Sequence, residues 1–375
     1  MPQTRRAFLS QLPALLPLAQ PRHAIRDSSL LGVAVCGLDR YAQDWILPAL
    51  LHHSTRCRLA GLIDANLQQA RLLGRSLGIP EERVIGFNDM QRLASQAAID
   101  AVYVASPTTL HPKHTIAALA AGKHVICRKP MAPSSGACQA MIQAARRKGL
   151  ALAVDYQLHC EPHVQALQRL VAQQGMGPTT HVQTLVGIRR DDPNDPDVRL
   201  DTAGPYPLVN LAILGIQAAC YGTGQAPRSV SSAQLSTMRQ QVFGSLPDTM
   251  LWTLRFADGA SASGEATFNR TQNHLRVEMQ RGWVEMEPAF TMRGIAGRTS
   301  TGPLAGRSTA NLMAVFLDEV AQAITTGAKL RTPGEMGLRD LLIIEGIFRA
   351  AVSRRAVAIG AMQQEAPSKT RRPGQ

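Results

Sequence analysis

The fold is decided by a short stretch near the N-terminus, Val33-Ala-Val-Cys-Gly-Leu-Asp-Arg-Tyr-Ala-Gln43 (VAVCGLDRYAQ). Its apolar start predicts a buried strand, Gly37 predicts a tight turn, and a helix is expected from Tyr41 onward. In a dinucleotide-binding loop the first glycine makes the turn, the second lets the backbone approach the pyrophosphate, and the third position is small. Gly37 and Ala42 meet two of these demands, but Asp39 stands where the second glycine is needed.

Two carboxylates decide how well this loop would bind a dinucleotide. Asp39 crowds the phosphate position and adds like-charge repulsion, which the neighbouring Arg40 would partly neutralise. Asp64 follows the second predicted strand, where an acid binds the ribose hydroxyls, and it favours NAD over NADP. The alternative for Asp64 is an N-cap of the helix that begins near Leu67.

Strands and helices alternate from residue 30 to residue 155. Strands are predicted over 33–36, 58–63, 84–87, 101–105, 124–127 and 150–154, with helices over 41–51, 67–77, 90–96, 114–121 and 134–148. This alternation predicts parallel pairing through right-handed crossovers. We therefore expect an α/β protein whose N-terminal domain, 30–155, is a Rossmann-type doubly wound parallel sheet.

The pattern changes after residue 155. A helix over 161–174 precedes strands over 181–188, 229–235, 248–256, 260–268, 275–280 and 282–287, and helices follow over 310–325 and 339–354. Strands joined by short connections favour an antiparallel sheet. The second domain, 156–360, is expected to be α+β with a largely antiparallel open sheet, and 361–375 a mobile polar tail.

The first 24 residues are typical of an export signal. Arg5 and Arg6 precede Phe8-Leu9 and a weakly apolar run that is too short to span a bilayer. This arrangement predicts a twin-arginine signal, the export machinery as a partner, a periplasmic location and no stable membrane anchor. The alternative is a disordered basic N-terminus.

Composition excludes some classes of function and leaves others open. The formal charge of +13 would attract anions such as acidic polysaccharide, but a solvated basic surface is the favoured explanation because no basic run exceeds a few residues. Aromatic residues make up 4%, which argues against a stacking platform for nucleic acid. The six cysteines form no CxxC pair and no zinc-ligand spacing, so we expect mostly buried free thiols and no metal.

Further stretches lie where ligands bind in such sheets, at the carboxyl ends of predicted strands. They are Val102–His114 (VYVASPTTLHPKH) and Gly122–Ser134 (GKHVICRKPMAPS). With the glycine turn, the YQLHCEP segment from Tyr156 and the RTPGEMGLRDLL segment from Arg331, the chain resembles the Gfo/Idh/MocA oxidoreductases over nearly its whole length. Within that family it is most similar to the glucose–fructose oxidoreductases.

The resemblance implies hydride transfer between NAD or NADP and a carbon of a sugar or polyol. It also implies a homo-oligomer formed through the C-terminal sheet. Lys129, in Arg128-Lys129-Pro130 where the family has Glu-Lys-Pro, would hold the reacting oxygen and help move its proton; the alternative is a surface lysine at a strand end. The expected cofactor-binding residues are Gly37, Leu38, Asp39, Arg40, Tyr41, Asp64, Pro107, Thr108, His111, Arg128 and Lys129.

The second domain departs from the family pattern at the residues that handle protons. In Ala203–Leu214 (AGPYPLVNLAIL), Asn210 replaces an aspartate and Leu214 replaces the proton-donating His or Tyr. His159 and Tyr206 are candidate replacements, although His159 is also placed to cap the next helix and Tyr206 to pack in a loop. The expected catalytic set is Lys129, Asn210 and His159. The rival hypothesis is a non-catalytic binding or assembly protein that kept the fold.

Overall fold

The first sheet has six parallel strands in the order β3-β2-β1-β4-β5-β6. The computed structural model describes residues 30–192, 208–307 and 311–360. The strands are β1 Leu31–Cys36, β2 Cys57–Asp64, β3 Val84–Gly86, β4 Ala101–Val104, β5 His124–Cys127 and β6 Leu152–Val154. Their residues are almost all buried because helices cover both faces of the sheet. The predicted doubly wound parallel sheet is confirmed.

Four helices and three 3₁₀ segments connect these strands, and a fourth 3₁₀ segment follows β6. Helix α1 spans 40–53 and contains π-type turns over Ala42–Ile46 and Ala49–His53. The others are α2 Leu67–Ser76, α3 His111–Ala120 and α4 Ser135–Lys148, with 3₁₀ segments over Glu81–Arg83, Phe87–Ser95, Thr108–Leu110 and Gln157–Cys160. Strand order reverses between β1 and β4, so the glycine turn lies beside the β4 loop, where open α/β sheets bind ligands.

Glycine is required at the first turn position. Gly37 has a φ of +95°, and a Cβ there would lie 2.5 Å from the Ser106 backbone nitrogen. The close contact between the turn and the β4 loop therefore depends on the absence of a side chain at residue 37.

The second sheet has nine strands in the order β14-β13-β12-β11-β7-β10-β9-β8-β15. Its strands are β7 Thr179–Gly187, β8 Ser229–Ser236, β9 Thr249–Arg255, β10 Ser261–Thr267, β11 Gln272–Met279, β12 Gly282–Met286, β13 Gly297–Thr299, β14 Gly302–Pro303 and β15 Val357–Ala358. All pairs are antiparallel except β7 with β10. The largely antiparallel prediction is confirmed, whereas β13, β14 and β15 are absent from the elements predicted above.

Five helices lie in the described part of the chain after β6: α5 Pro162–Ala172, α6 Val209–Thr223, α7 Gln240–Phe243, α8 Leu312–Thr326 and α9 Gly334–Ser353. Helix α6, absent from the predicted elements, packs on β7 and β10, whereas α9 packs on β8 and on α4. Helix α8 instead joins the apolar core on the β1–β2 side of the first sheet. Each of the two apolar clusters therefore contains residues from both sides of the predicted boundary at 155/156.

Some sequence-based expectations are settled by this architecture, and others lie outside it. All six cysteines are buried and free. Asn66 caps α2 and Glu161 caps α5, so neither the capping alternative for Asp64 nor that for His159 is correct. Within residues 30–192, 208–307 and 311–360, no helix is long and apolar enough to cross a membrane. The export signal over 1–24, Tyr206 and the tail over 361–375 fall outside the described residues.

Candidate active site

A cavity of about 190 Å³ lies where the carboxyl ends of β5 and β6 meet helix α6. Lys129 and Asp155 reach it from the first sheet, and Leu214 reaches it from α6. His159 and Phe290 close other sides. The cavity thus joins the strand ends of the first domain to the second domain, which is a common location for a ligand site.

Asp39 and Arg128, two departures from the family pattern, form an ion pair with each other. Arg128 Nη1 lies 2.9 Å from Asp39 Oδ2, and the guanidinium stacks 4.0 Å from the centre of the Tyr41 ring. Asp39 Oδ1 also accepts a hydrogen bond from the Ala42 backbone N–H at 2.9 Å. Arg40, expected to neutralise Asp39, instead pairs with Asp44 on the exposed face of α1, so that expectation is wrong.

The Asp39–Arg128 pair is open to solvent, because the Arg128 and Asp39 side chains are 29% and 48% exposed. Ion pairs of this exposure contribute about 0–1 kcal/mol to stability. The pair is therefore weak enough for a ligand anion to compete with it.

A buried carboxylate lies behind Arg128. Asp155, directly after β6, accepts hydrogen bonds at Oδ2 from the hydroxyls of Tyr41, at 3.0 Å, and Tyr103. Burial raises the pKa of Asp155, although the tyrosine hydrogen bonds oppose that shift. Burial and the Asp155 charge raise the pKa of Tyr41 well above its usual value. Tyr41 is therefore fixed as a neutral hydroxyl group at the cavity wall.

Asp64 lies beside the glycine turn, as the fingerprint requires. Its Oδ2 accepts from the Leu38 backbone N–H at 2.9 Å, and its Oδ1 accepts from the Asn66 backbone N–H at 2.8 Å. The carboxylate is half-buried, so it remains accessible from the cleft. Its position is compatible with the predicted contact to a ribose.

Of the residues predicted after β4, two are accessible and one is not. Pro107 is exposed and Thr108 is half-buried at the start of the 3₁₀ turn that precedes α3. His111 is 1% exposed, and its ring nitrogens lie 2.7 Å from the Ser106 carbonyl oxygen and 3.0 Å from that of Pro130. Burial lowers the pKa of His111 to about 4. His111 therefore ties the β4 loop to the β5 loop, and its predicted cofactor contact is not available.

Lys129 and Asn210 are brought together, but through the backbone of Asn210. The Lys129 Nζ donates to the Asn210 carbonyl oxygen at 3.0 Å, at the first turn of α6. Leu214, one turn further along α6, lines the cavity at the position where the family has a proton donor. Among the described residues of the cavity wall, Lys129 supplies one ammonium group. Leu214 stands where the family has its proton donor and cannot carry a proton.

His159 is engaged through both ring nitrogens. Its Nε2 donates to Gln217 Oε1, and its Nδ1 accepts from Gln168 Nε2 at 3.1 Å. Gln217 Nε2 in turn donates to Asp340, whose other oxygen pairs with Arg339 at 2.8 Å. Burial lowers the pKa of His159 to about 4. His159 is consequently a neutral wall residue, and the structure does not favour it as the replacement acid.

Sequence reasoning missed Asp155, Gln217 and Asp340. Asp155 directly follows a predicted strand, so the rule that located Lys129 would also have located it. Gln217 lies inside an apolar helix, and its partner Asp340 is 123 residues away. Among the described residues, no group of three or more His, Cys, Asp or Glu side chains is placed to hold a metal ion.

Three observations indicate that the glycine turn is compatible with a bound dinucleotide. Gly37 keeps the tight turn, Asp64 lies beside it, and the charge of Asp39 is paired with Arg128 rather than left unpaired. A two-domain nicotinamide-dependent oxidoreductase is the class that this fold and cleft define. The chain belongs to the Gfo/Idh/MocA family: residues 31–156 match its oxidoreductase model, an NAD-binding Rossmann fold, and residues 164–285 match its C-terminal domain model.

Relatives of this chain include sugar dehydrogenases and oxidoreductases. The crystal structure of an aldose–aldose oxidoreductase from Caulobacter crescentus, in complex with glycerol, is 34% identical, covers 88% of this chain and 99% of that chain, and superposes with a TM-score of 0.82. D-xylose 1-dehydrogenase (NADP(+)) 2 of Haloferax volcanii is 25% identical over 88% of this chain and 98% of its own length. D-glucoside 3-dehydrogenase of Escherichia coli is 28% identical over 64% of this chain and 71% of its own length.

Proposed function

We propose that this protein is an exported NAD(P)-dependent oxidoreductase that transfers hydride to or from an aldose or related polyol. The observation that carries the proposal is the cavity bounded by Lys129, Asp155 and helix α6, beside a turn that keeps the first glycine of the fingerprint, Gly37. Its volume of about 190 Å³ is below the ~300–1,000 Å³ of typical ligand pockets, which favours a monosaccharide-sized substrate. The sugar named for the Caulobacter relative supports the same substrate class.

The cofactor would be held by the glycine turn from Gly37 to Tyr41, by Asp64 and by Thr108. When bound, the nicotinamide supplies the hydride acceptor or donor. Lys129 binds the reacting sugar oxygen and gives or takes its proton. The Asn210 carbonyl oxygen orients the ammonium group of Lys129. The Tyr41 hydroxyl donates to Asp155 and accepts from Gln157 Nε2, so another sugar hydroxyl would donate to the remaining lone pair of the Tyr41 oxygen at the cavity wall.

The test begins with the purified mature protein. Denaturation followed by mass spectrometry identifies any released nucleotide, and titrations with NADH and NADPH measure affinity. Aldoses and polyols are then screened by nicotinamide absorbance. Bound or titratable nicotinamide together with turnover of a sugar supports the proposal. A folded protein that binds neither nucleotide and turns over no sugar would overturn it.

Leu214 and the fully engaged His159 give the non-catalytic alternative a specific basis. A binding or assembly protein would retain sugar affinity without turnover. Substituting Leu214→His distinguishes the two, because an enzyme limited by a missing acid should gain activity. If the wild type and Leu214→His both bind sugar but neither turns it over, the result supports the non-catalytic alternative.

Export and oligomerisation are further parts of the proposal. The twin arginines Arg5 and Arg6 support periplasmic delivery, tested by exchanging both for lysine and following the protein into the periplasm. Among the described residues, helices α6 and α9 pack on one face of the nine-stranded sheet, and Leu251 is exposed on a strand of that sheet. We expect the sheet to pair with a second copy, so Leu251→Glu should lower the molar mass measured by light scattering.

A further inference from the structure

Arg128 extends across the edge where the first sheet would bind a nucleotide. It follows β5, yet its guanidinium reaches Asp39 in the turn after β1, and β4 lies between these strands. The contact is 2.9 Å from Nη1 to Asp39 Oδ2, and the Tyr41 ring stacks on the same guanidinium at 4.0 Å. The cation is thus held over the carboxyl edge of three neighbouring strands.

Asp39 places a carboxylate where this turn would otherwise meet an external anion. Its Oδ1 accepts the Ala42 N–H at 2.9 Å, and a backbone N–H in the first turn of a helix is a group that commonly binds phosphate. Its Oδ2 meets the guanidinium of Arg128. The carboxylate therefore makes the two kinds of contact that a phosphate oxygen makes at such a turn.

The geometry points to Arg128 as a phosphate ligand that Asp39 holds in place in the nucleotide-free protein. We infer that the pyrophosphate of a bound dinucleotide takes over the guanidinium from Asp39. A phosphate presents several oxygens to the planar guanidinium, whereas Asp39 makes one contact with it, through Oδ2. The inference rests on the proposed function, because it concerns how the same cleft binds its cofactor.

The competing explanation is that Arg128 merely neutralises Asp39. Both explanations predict that Asp39→Gly tightens nucleotide binding and that Arg128→Met weakens it. They differ once Asp39 is absent. If Arg128 only neutralises Asp39, it has no role in the Asp39→Gly background, whereas a phosphate ligand still contributes there.

The experiment measures dissociation constants for NADH and ADP-ribose by titration calorimetry on four full-length proteins. These are the wild type, Asp39→Gly, Arg128→Met and the double variant. We expect Arg128→Met to weaken both ligands by about tenfold or more in the Asp39→Gly background, because a charge-assisted contact to phosphate is lost. We also expect the salt dependence of binding to fall with Arg128→Met.

Arg71→Met is the matched control, because Arg71 pairs with Glu81 on the surface of the same domain. It should leave both dissociation constants unchanged. Equal affinity of Asp39→Gly with and without Arg128 would overturn the inference and leave the proposed function intact. If none of the four proteins bound NADH or ADP-ribose, the inference would fall, and the proposed function would then depend on the separate titration with NADPH and on the sugar screen.

Discussion

Lys129 is the residue on which the proposed chemistry depends most directly. Its ammonium group lines the cavity and donates to the Asn210 carbonyl oxygen at 3.0 Å. We expect Lys129→Ala to lower kcat by about 10²–10⁴-fold, the usual contribution of a positioned proton-transfer group. The melting temperature should change little.

Lys148→Ala is the control for Lys129→Ala, because Lys148 is exposed at the end of α4. It should leave kcat unchanged, as measured in the same sugar assay. Unaltered turnover in Lys129→Ala would refute the assigned role of that lysine.

Asp340 is a second residue whose substitution should have a large effect, in this case on the stability of the fold. It is fully buried and pairs with Arg339 at 2.8 Å, while its other oxygen accepts from Gln217. Removing one partner of a buried ion pair typically costs about 3–5 kcal/mol, because the remaining charge is left uncompensated. Asp340→Ala should lower the free energy of unfolding in urea by a similar amount.

The double variant Arg339→Met/Asp340→Leu separates charge from packing. It should recover much of the lost stability, since an apolar pair of similar volume often replaces a buried ion pair at little cost. A double variant as unstable as Asp340→Ala would show that the loss arises from the buried Gln217 amide, which loses its acceptor in both variants, rather than from the isolated charge of Arg339.

Individual site residues were predictable where a local rule applied. Gly37, Asp64 and Lys129 follow strands, and the structure places them at one sheet edge. The partner of Asp39 was not predictable, because Arg128 is 89 residues away and only the fold brings the two strand ends together. Local sequence suggested Arg40, which α1 turns toward Asp44 instead.

At the scale of elements, α6 shows why one helix was not recognised. Of its 15 residues, 13 are buried, so its sequence VNLAILGIQAACYGT has apolar residues on every face. When a helix is buried on all sides, its sequence shows no apolar stripe with a period of 3.6 residues, and that stripe is the pattern from which a helix is predicted. Strands such as β9 and β11 alternate buried residues with residues that are half-buried or exposed, and both were recovered within a few positions.

The contact between β9 and β10 gives a prediction for an element. Gly264 on β10 pairs with Trp252 on β9, and a Cβ on Gly264 would lie 2.1 Å from the indole. Because Trp252 is itself 2% exposed, the ring has little room to move. Gly264→Ala should therefore destabilise the protein by about 1–3 kcal/mol or more, measured by urea denaturation.

Gly136→Ala tests whether the effect is specific to the sheet. Gly136 lies in α4, and a Cβ added there would have no atom within 4 Å, so alanine should stabilise the protein by up to ~1 kcal/mol. If Gly264→Ala were neutral, the packing of β9 against β10 would have to be looser than the structure indicates.

At the scale of the whole molecule, one carboxylate joins the last third of the chain to the first domain. Asp318, on α8, accepts hydrogen bonds from the Ser54 hydroxyl, from the Thr55 N–H and hydroxyl, and from the Arg56 N–H. Helix α8 also shares an apolar core with β1 and β2. Polar and apolar contacts therefore hold α8, which lies in the predicted second domain, against β1, β2 and residues 54–56 of the predicted first domain.

This contact makes stability depend on pH in a defined direction. Burial alone would raise the pKa of Asp318, but the hydrogen bonds from residues 54–56 outweigh it and lower the pKa. A carboxylate whose pKa is lowered by folding stabilises the protein above its unfolded pKa of ~3.9, and the contribution disappears as pH falls through the folded value. Because the group is partly exposed, we expect about 1 kcal/mol rather than the larger value of a buried charge.

Asp318→Asn tests this linkage. At pH 7 the variant should unfold at lower urea concentration than the wild type, and the difference should shrink below about pH 4 as the wild-type carboxyl is protonated. Glu335→Gln, which removes a surface carboxylate paired with Arg146, should show no comparable change. A gap between Asp318→Asn and the wild type that stayed constant down to about pH 3 would mean that the contact acts through shape, not charge, in joining α8 to the first domain.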